Sequence, residues 1–406
     1  MQMLDGIFYF RIQQMKKIVF TEEFCQPENL FPFTLTRQIQ DIRIGILTIR
    51  QKWEQWLEMQ SFDKKEGDYK DLTDAIEIGD IGMGDIIYLV HGNILPTAKL
   101  IKQIKKLKTG ECISVPEKES IIYCISKNEV VDSNKIKVKK AIEFNEEFKE
   151  VKFPWEICQM NKWAIEQDFE LVTKRKKSQK ISTTNKLQNA NNIFIDKGAD
   201  VEHCFLNASE GPIYIGKHAV VMEGSMLRGP VAICDGAIVK MGSRIYGATT
   251  IGSNCIVGGE IKNSVFFANS NKAHDGYIGD SVIGEWCNMG AGTSNSNVKN
   301  NASAVMLWTP KGAMNVGLKC GVMMGDYSRT AINTSINTGT VIGVCCNVIG
   351  NGLTPKYIPS FSWSSDGVER YSFEKALTDI ENWKQLKQQT LTKNEKTVLK
   401  YVFDHY

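Results

Sequence analysis

Residues able to do chemistry concentrate in the second half of the chain. Arg244 and Lys262 are cations eighteen residues apart, His274 follows in the segment NKAHDGYIGD, and the glycine-rich NMGAGT begins at Asn288. Two cations can grip one phosphate, a neutral imidazole can accept a proton near pH 7, and backbone N–H groups of a glycine-rich turn can stabilise an oxyanion. Together these groups could hold a phosphorylated substrate beside a general base.

The elements that must position them follow a period of six. Aliphatic residues occupy one register without exception: Ile215, Val221, Leu227, Ile233, Val239, Ile245, Ile251 and Val257. Each would fill the interior of a coil, and the glycines after several of them suit tight corners. Arg244 and Lys262, three six-residue sides apart, are therefore expected to stack on one side of successive coils.

The period slips by two residues near Asn263 and is interpreted as resuming with Val265, Tyr277, Ile283 and Met289. We expect an inserted segment there, from which His274 projects outward. Later aliphatic residues, Val316 with Val322 and then Ile336, Ile342 and Val348, extend the coil after an excursion around residues 298–315.

The first half of the chain has a different pattern. A short strand, IVF, precedes Ile39, Ile42, Ile46, Ile49, Trp53 and Leu57, whose steps of three and four predict one amphipathic helix. The segment DIIYLVHGNILPT predicts a buried strand and LIKQIKKL another helix, so this half is an α/β layer.

These patterns divide the chain into segments. Residues 1–14 are interpreted as an N-terminal extension, 15–171 as the α/β domain, 172–192 as a polar linker, 193–373 as the repeat domain and 374–406 as a helical tail, a candidate cap or trimer arm.

Charge and composition exclude some functions. With 49 basic and 46 acidic residues and a net charge of +3, no global field would recruit nucleic acid or a membrane. The eleven cysteines lack C-x-x-C spacing and indicate reduced thiols of a cytoplasmic protein.

Specific motifs identify a family resemblance. The stretch EIKNSVFFANSNKAHDGYIGDSVIGEWCNMGAGTSNSN resembles the acetyltransferase domain of bacterial bifunctional N-acetylglucosamine-1-phosphate uridyltransferase/glucosamine-1-phosphate acetyltransferase. A divergent branch, the sugar-1-phosphate nucleotidyltransferases, is similar also through LFPFTLTRQIQDIRIGILTIRQKW, PWEICQMN, GVMMGDYSRTAINTSINTGTVIG and IPSFSW. The resemblance covers nearly all of residues 16–385. It implies a nucleotidyltransferase-like α/β domain followed by a left-handed parallel β-helix that forms a homotrimer.

The resemblance also implies roles for individual residues. It places sugar-phosphate contacts on Arg244 and Lys262, the catalytic base on His274, sugar contacts on Tyr277 and Asn288, and acetyl-CoA contacts on Ala291 and Asn297. Each position matches the family in residue type. Tyr277 and Asn288 are equally suited to packing and turn roles.

The N-terminal half departs from the family. Its first strand is followed by TEEFCQPENLFPFTLTR, which lacks the glycine-rich phosphate loop, and Asn93 stands where the family has a metal-binding aspartate. Arg37 is a candidate nucleotide-binding residue, with an exposed or helix-capping role as its alternative. Mg²⁺ is expected only if this domain is active.

The sequence thus predicts an acetyl-CoA-dependent N-acetyltransferase for an amino-sugar 1-phosphate, glucosamine 1-phosphate by resemblance, in UDP-N-acetylglucosamine and cell-envelope precursor synthesis. No metal is expected at the acetyl-transfer site. Alternatives are a sugar-1-phosphate nucleotidyltransferase alone and a non-catalytic trimeric scaffold that binds sugar nucleotides. A zinc carbonic anhydrase with the same repeat would need three histidine ligands, and the spacings of His203, His218 and His274 do not suit it.

Overall fold

The computed structural model describes residues 15–64, 81–82, 85–116, 120–364 and 366–406. The predicted extension, residues 1–14, lies outside this range. Within the described residues, no helix is both long and apolar enough to cross a bilayer.

The N-terminal half forms a mixed sheet with helices packed against it. In spatial order its strands are Ser61–Asp63, Lys16–Thr21, Ile86–His91, Ser120–Ser126, Glu111–Ser114 and Lys140–Glu143. The first three are mutually parallel, and Ser120–Ser126 pairs antiparallel with both of its neighbours. The helices of this half are α1 (Ile49–Leu57), α2 (Ala98–Ile104), α3 (Lys127–Val131), α4 (Pro154–Gln159) and α5 (Asn161–Thr173).

The single helix predicted from Ile39 to Leu57 is wrong in its first half. Short strands Arg43–Ile44 and Leu47–Thr48 form a hairpin around Gly45, and α1 begins only after Thr48, whose side chain caps it. Gly45 adopts φ +78, and a Cβ there would lie 2.6 Å from Oδ2 of Asp168. The aliphatic spacing matched a helix, but a left-handed glycine in close contact with a neighbouring helix forces a turn.

The second half is a parallel β-helix with three faces. Face 1 contains strands Lys186–Gln188, Phe205–Asn207, Met226–Arg228, Arg244–Tyr246, Glu260–Lys262 and Tyr277–Gly279. Face 2 contains Ile193–Ile195, Ile213–Ile215, Val231–Ile233, Thr249–Ile251, Val265–Phe266, Val282–Ile283, Val322–Met324, Thr340–Ile342 and Tyr357–Ile358. Face 3 contains Asp200–Val201, Val220–Val221, Ile238–Val239, Ile256–Val257, Asn271–Lys272, Asn288–Met289, Arg329–Thr330 and Asn347–Val348.

The eight aliphatic residues of the six-residue period fill the coil interior, each no more than 1% exposed. After Val257 the predicted register is correct at Ile283 and Met289 but wrong at Val265 and Tyr277. The inward positions are Ile261, Phe266, Lys272, Ile278, Ile283 and Met289. Val265 and Tyr277 instead point outward, because the coils that pair Thr250 with Val265 and Glu260 with Tyr277 are shorter than the regular ones.

The segment predicted as a linker, residues 172–192, already contains part of the β-helix. Lys186–Gln188 pairs in parallel with Phe205–Asn207 as the first strand of face 1. It carries no hexapeptide signal because no earlier coil covers it, and its residues are exposed. Most of residues 374–406 lie in α6 (Phe373–Gln385) and α7 (Lys393–His405). Both helices pack on the corner between faces 2 and 3, against Trp286, Tyr327, Cys345 and Phe361.

The N-terminal domain packs on face 2. Outward residues Val265, Phe267 and Val282 join its core, and so does Val316, which was predicted to lie in the coil. Thr36 and Arg37 both donate to the carboxylate of Asp326, at the face 2 corner. The Arg37 guanidinium lies 3.6 Å from Glu285 and 4.8 Å from the ring centroid of Phe267. Burial alone would lower the pKa of Arg37, but Asp326 and Glu285 outweigh it and raise that pKa.

We expect Arg37→Met to lower the free energy of unfolding by about 3–5 kcal/mol, because it leaves the Asp326 carboxylate buried without its cation. Urea unfolding followed by circular dichroism measures this. Arg228→Met is the matched control, since the Arg228–Glu210 pair is exposed and is worth about 1 kcal/mol or less. Equal stability of the two variants would show that the Arg37–Asp326 pair does not stabilise the interface between the two domains.

Candidate functional site

Face 1 brings Arg244 and Lys262 onto one outward surface. The two side chains are not stacked directly above one another, contrary to the prediction from the sequence. Arg244 pairs in register with Glu260, and Tyr246 pairs with Lys262. The two cations are therefore diagonal neighbours on adjacent strands, within reach of one phosphate for long side chains. The Lys262 ammonium lies 5.8 Å from the Tyr246 ring centroid, and the Glu260 carboxylate accepts a hydrogen bond from the Tyr246 hydroxyl at 2.7 Å.

Tyr277 continues this surface on the next strand, in register with Glu260. Its hydroxyl lies 3.1 Å from Nδ2 of Asn297, which also donates to the Asp280 carboxylate. Burial, and then the charge of Asp280, raise the pKa of Tyr277 to about 12. The hydroxyl therefore stays protonated at neutral pH. Asn297, a predicted acetyl-CoA contact, is thus joined to the predicted sugar contact Tyr277.

His274 lies at the corner between faces 3 and 1. Its side chain is exposed and makes no hydrogen bond to the described part of the chain. The turn that carries it rests on the NMGAGT turn of the next coil: the Gly292 amide donates to the Asp275 carbonyl at 3.0 Å. A Cβ on Gly276 would lie 2.2 Å from the Thr293 carbonyl oxygen. His274 and Ala291 therefore occupy the same corner of successive coils.

Most amides of the NMGAGT turn are already used. Gly290 donates to Thr330, Gly292 to Asp275 and Thr293 to Gly290. The Ala291 amide donates to no group in the described residues. The glycine-rich turn thus offers one N–H at the tip, beside His274, instead of the several that the sequence suggested.

Asn288 lies apart from the other predicted residues. Its strand belongs to face 3, where it pairs with Asn271 on one side and Arg329 on the other. Within one chain it faces away from Arg244 and Lys262, on the other side of the His274 corner.

Arg37, predicted to bind nucleotide, is engaged in the domain interface: its side chain is 10% exposed and paired with Asp326. This pairing argues against the predicted nucleotide contact. Thr36 and Arg37 belong to the segment that replaces the phosphate loop, so that segment holds the β-helix instead. Asn93 accepts a hydrogen bond from the Cys25 thiol at 3.4 Å. No cluster of three potential metal ligands occurs among the described residues.

Three residues near the site were missed by sequence reasoning: Glu260, Asp280 and Lys272. Glu260 could have been found from strand alternation, because Glu260 and Lys262 flank inward-facing Ile261. Asp280 belongs to the quoted motif but was given no role. Lys272 occupies an interior position that the aliphatic pattern does not reveal.

We expect Glu260→Gln to raise the affinity of face 1 for inorganic phosphate about fivefold, since a carboxylate about 4 Å away costs an anion roughly 1 kcal/mol in water. A ³¹P NMR titration at low ionic strength measures this. Glu210→Gln, which removes the acid from the exposed Arg228 pair, should leave the affinity unchanged within about twofold. Unchanged affinity in Glu260→Gln would show that phosphate does not bind beside Arg244 and Lys262.

Comparisons with known proteins agree with this architecture. Residues 18–177 match the family model described as sugar nucleotidyl transferase. The chain is 28% identical over 264 residues to the bifunctional protein GlmU of Methanocaldococcus jannaschii, covering 64% of this chain and 56% of that protein. It is 28% identical over 240 residues to the bifunctional sugar-1-phosphate nucleotidylyltransferase/acetyltransferase of Sulfurisphaera tokodaii, covering 58% and 52%.

A shorter match, 38% identical over 84 residues, is to the bifunctional protein GlmU of Methanococcus aeolicus and covers 21% of this chain and 20% of that protein. The matches span about half the length, or less, of these relatives. They confirm the predicted resemblance and the predicted fold class. The chain is similar to bifunctional proteins whose names join a sugar-1-phosphate nucleotidylyltransferase to an acetyltransferase, and its α/β domain matches the sugar nucleotidyl transferase family.

Proposed function

We propose that the β-helix catalyses acetyl transfer from acetyl-CoA to the amine of an amino-sugar 1-phosphate, with glucosamine 1-phosphate as substrate. The observation that carries the proposal is the arrangement around the His274 corner. An exposed imidazole lies one coil from the unused Ala291 amide and borders a face that presents Arg244, Lys262 and Tyr277. The names of the relatives support the same chemistry.

In this reaction the substrate amine attacks the thioester carbonyl, so that an N–C bond forms and the C–S bond breaks. His274 accepts the amine proton, and the leaving thiolate takes up a proton to give CoA. The Ala291 N–H would donate to the oxyanion that develops on the carbonyl. Arg244 and Lys262 would hold the sugar phosphate, which converts binding energy into orientation of the amine.

The groups on one chain form an open surface, with Asn288 on a different face. A closed site therefore needs a second wall, and a homotrimer would supply it by placing face 3 of one copy opposite face 1 of another. The product would serve UDP-N-acetylglucosamine synthesis.

We expect His274→Ala to lower kcat about 10²- to 10⁴-fold, the usual contribution of a positioned general base. CoA formation from acetyl-CoA and glucosamine 1-phosphate, measured by chromatography, avoids thiol reagents that would react with the protein's own cysteines. His203→Asn, an exposed histidine on another β-helix turn with positive φ, is the control and should retain full activity. Absence of CoA formation by the unaltered protein with any amino-sugar phosphate would favour the scaffold alternative.

A second candidate activity is nucleotidyl transfer by the α/β domain, favoured by its family match. The pairing of Arg37 with Asp326, and Asn93 at the position expected to hold a metal-binding aspartate, argue against it. We expect no pyrophosphate above background from UTP, N-acetylglucosamine 1-phosphate and Mg²⁺. An enzyme-coupled pyrophosphate assay measures this, and steady turnover would reverse the conclusion.

A further inference from the structure

Lys272 is a lysine in a column of valines. Val221, Val239 and Val257 stack in register along the inner side of face 3, and Lys272 pairs with Val257 as the next member. It is 0% exposed. A charged side chain in an apolar interior is stable only when its donors are satisfied. The groups that satisfy this ammonium therefore indicate its role.

All of its acceptors are backbone carbonyls around the His274 turn. The ammonium donates to the carbonyls of His274 and Asp275, the latter at 2.9 Å, and to that of Gly258 at 3.4 Å. Three N–H donors thus meet three acceptors. Burial lowers the pKa of Lys272 to about 8, while Asp275 acts in the opposite direction. At pH 7 the amine is therefore mostly protonated, and all three donors are available.

The contacts fix the two peptide groups that follow the Cα of His274. The carbonyl of His274 itself points inward to the ammonium, and the Asp275 carbonyl is shared between Lys272 and the Gly292 amide. The next residue, Gly276, adopts φ +124 and has no room for a side chain. With the carbonyls of His274 and Asp275 held inward, the exposed side chain of His274 is directed out of the coil.

We infer that Lys272 is a positioning residue for the proposed reaction: it anchors the His274 turn from inside the coil and so sets the direction of the imidazole. This inference rests on the proposed function for its kinetic consequence. Its structural content, an ammonium that orders the turn, stands independently of the reaction.

Lys272→Met tests the inference, because methionine keeps an unbranched side chain of similar length without the ammonium. We expect kcat to fall about 10²-fold, the cost of misplacing a reacting group by about 1 Å. KM for both substrates should change by no more than about twofold, because Arg244, Lys262 and Asn297 are untouched. Lys272→Gln keeps two N–H donors and should retain an intermediate kcat. It replaces Lys272→Met as the test variant if the methionine variant does not fold.

Val257→Ala is the matched control. It opens a cavity in the same column, one coil earlier, without removing a donor from the turn, so it should lose thermal stability but keep kcat. If Val257→Ala and Lys272→Met lose kcat in proportion to their loss of stability, the role of Lys272 is purely structural and the inference falls. Full kcat in Lys272→Met also overturns it.

Hydrogen exchange by mass spectrometry on the full chain separates this inference from the proposed function. Amides of residues 273–277 should exchange faster in Lys272→Met than in the unaltered protein, and Val257→Ala should not show this local change. If the unaltered protein makes no CoA yet this exchange pattern is found, the reaction is wrong and the anchoring is supported. Unchanged exchange at residues 273–277 overturns the anchoring whatever the activity.

Discussion

Each face of the β-helix sends stacked columns of side chains into the buried interior, and this packing determines which residues point outward. Val221, Val239 and Val257 stack in one such column, and the residues on either side of each must point out. Parallel strands also hold successive coils about 4.8 Å apart. Outward residues of neighbouring coils therefore meet without long loops, which is how Tyr246 comes to lie beside Lys262. A rigid scaffold of this kind suits chemistry that depends on orientation.

Different parts of the chain cover different faces of the β-helix, and this determines which surface remains open for a substrate. The α/β domain covers face 2, and the tail helices cover the corner between faces 2 and 3. The domain interface uses Arg37 against Asp326. A guanidinium committed to a buried carboxylate cannot bind a nucleotide phosphate without leaving that carboxylate unpaired, which is costly. Stable docking of the α/β domain thus conflicts with a phosphate-binding role for Arg37.

The sequence predicted the regular coils well because their signal is local: an aliphatic residue every six positions reports the interior directly. Prediction failed where a distant contact decides the conformation. Gly45 turns the chain because α5 leaves no room for a side chain, and Arg37 is buried by residues nearly three hundred positions away. The shortened coils after Val257 shifted the register, so Tyr277 was assigned inward. The prediction that it contacts the sugar came only from the family resemblance.

The energies involved explain why a charge in the coil interior is tolerable at this turn. A buried carbonyl without a donor costs about 1–3 kcal/mol, and Lys272 supplies donors to those of His274 and Asp275. A positioned general base contributes about 10²- to 10⁴-fold, or roughly 3–5 kcal/mol. The free energy of anchoring the turn and the contribution proposed for His274 are thus of similar size. An aliphatic residue at position 272 would pack as its neighbours do, but it would leave the His274 carbonyl without a donor and the Asp275 carbonyl with only the Gly292 amide. The turn would then relax by rotating the peptides that follow His274. The irregularity in the repeat is therefore best explained by the backbone of the turn, which needs a donor that no aliphatic residue can provide.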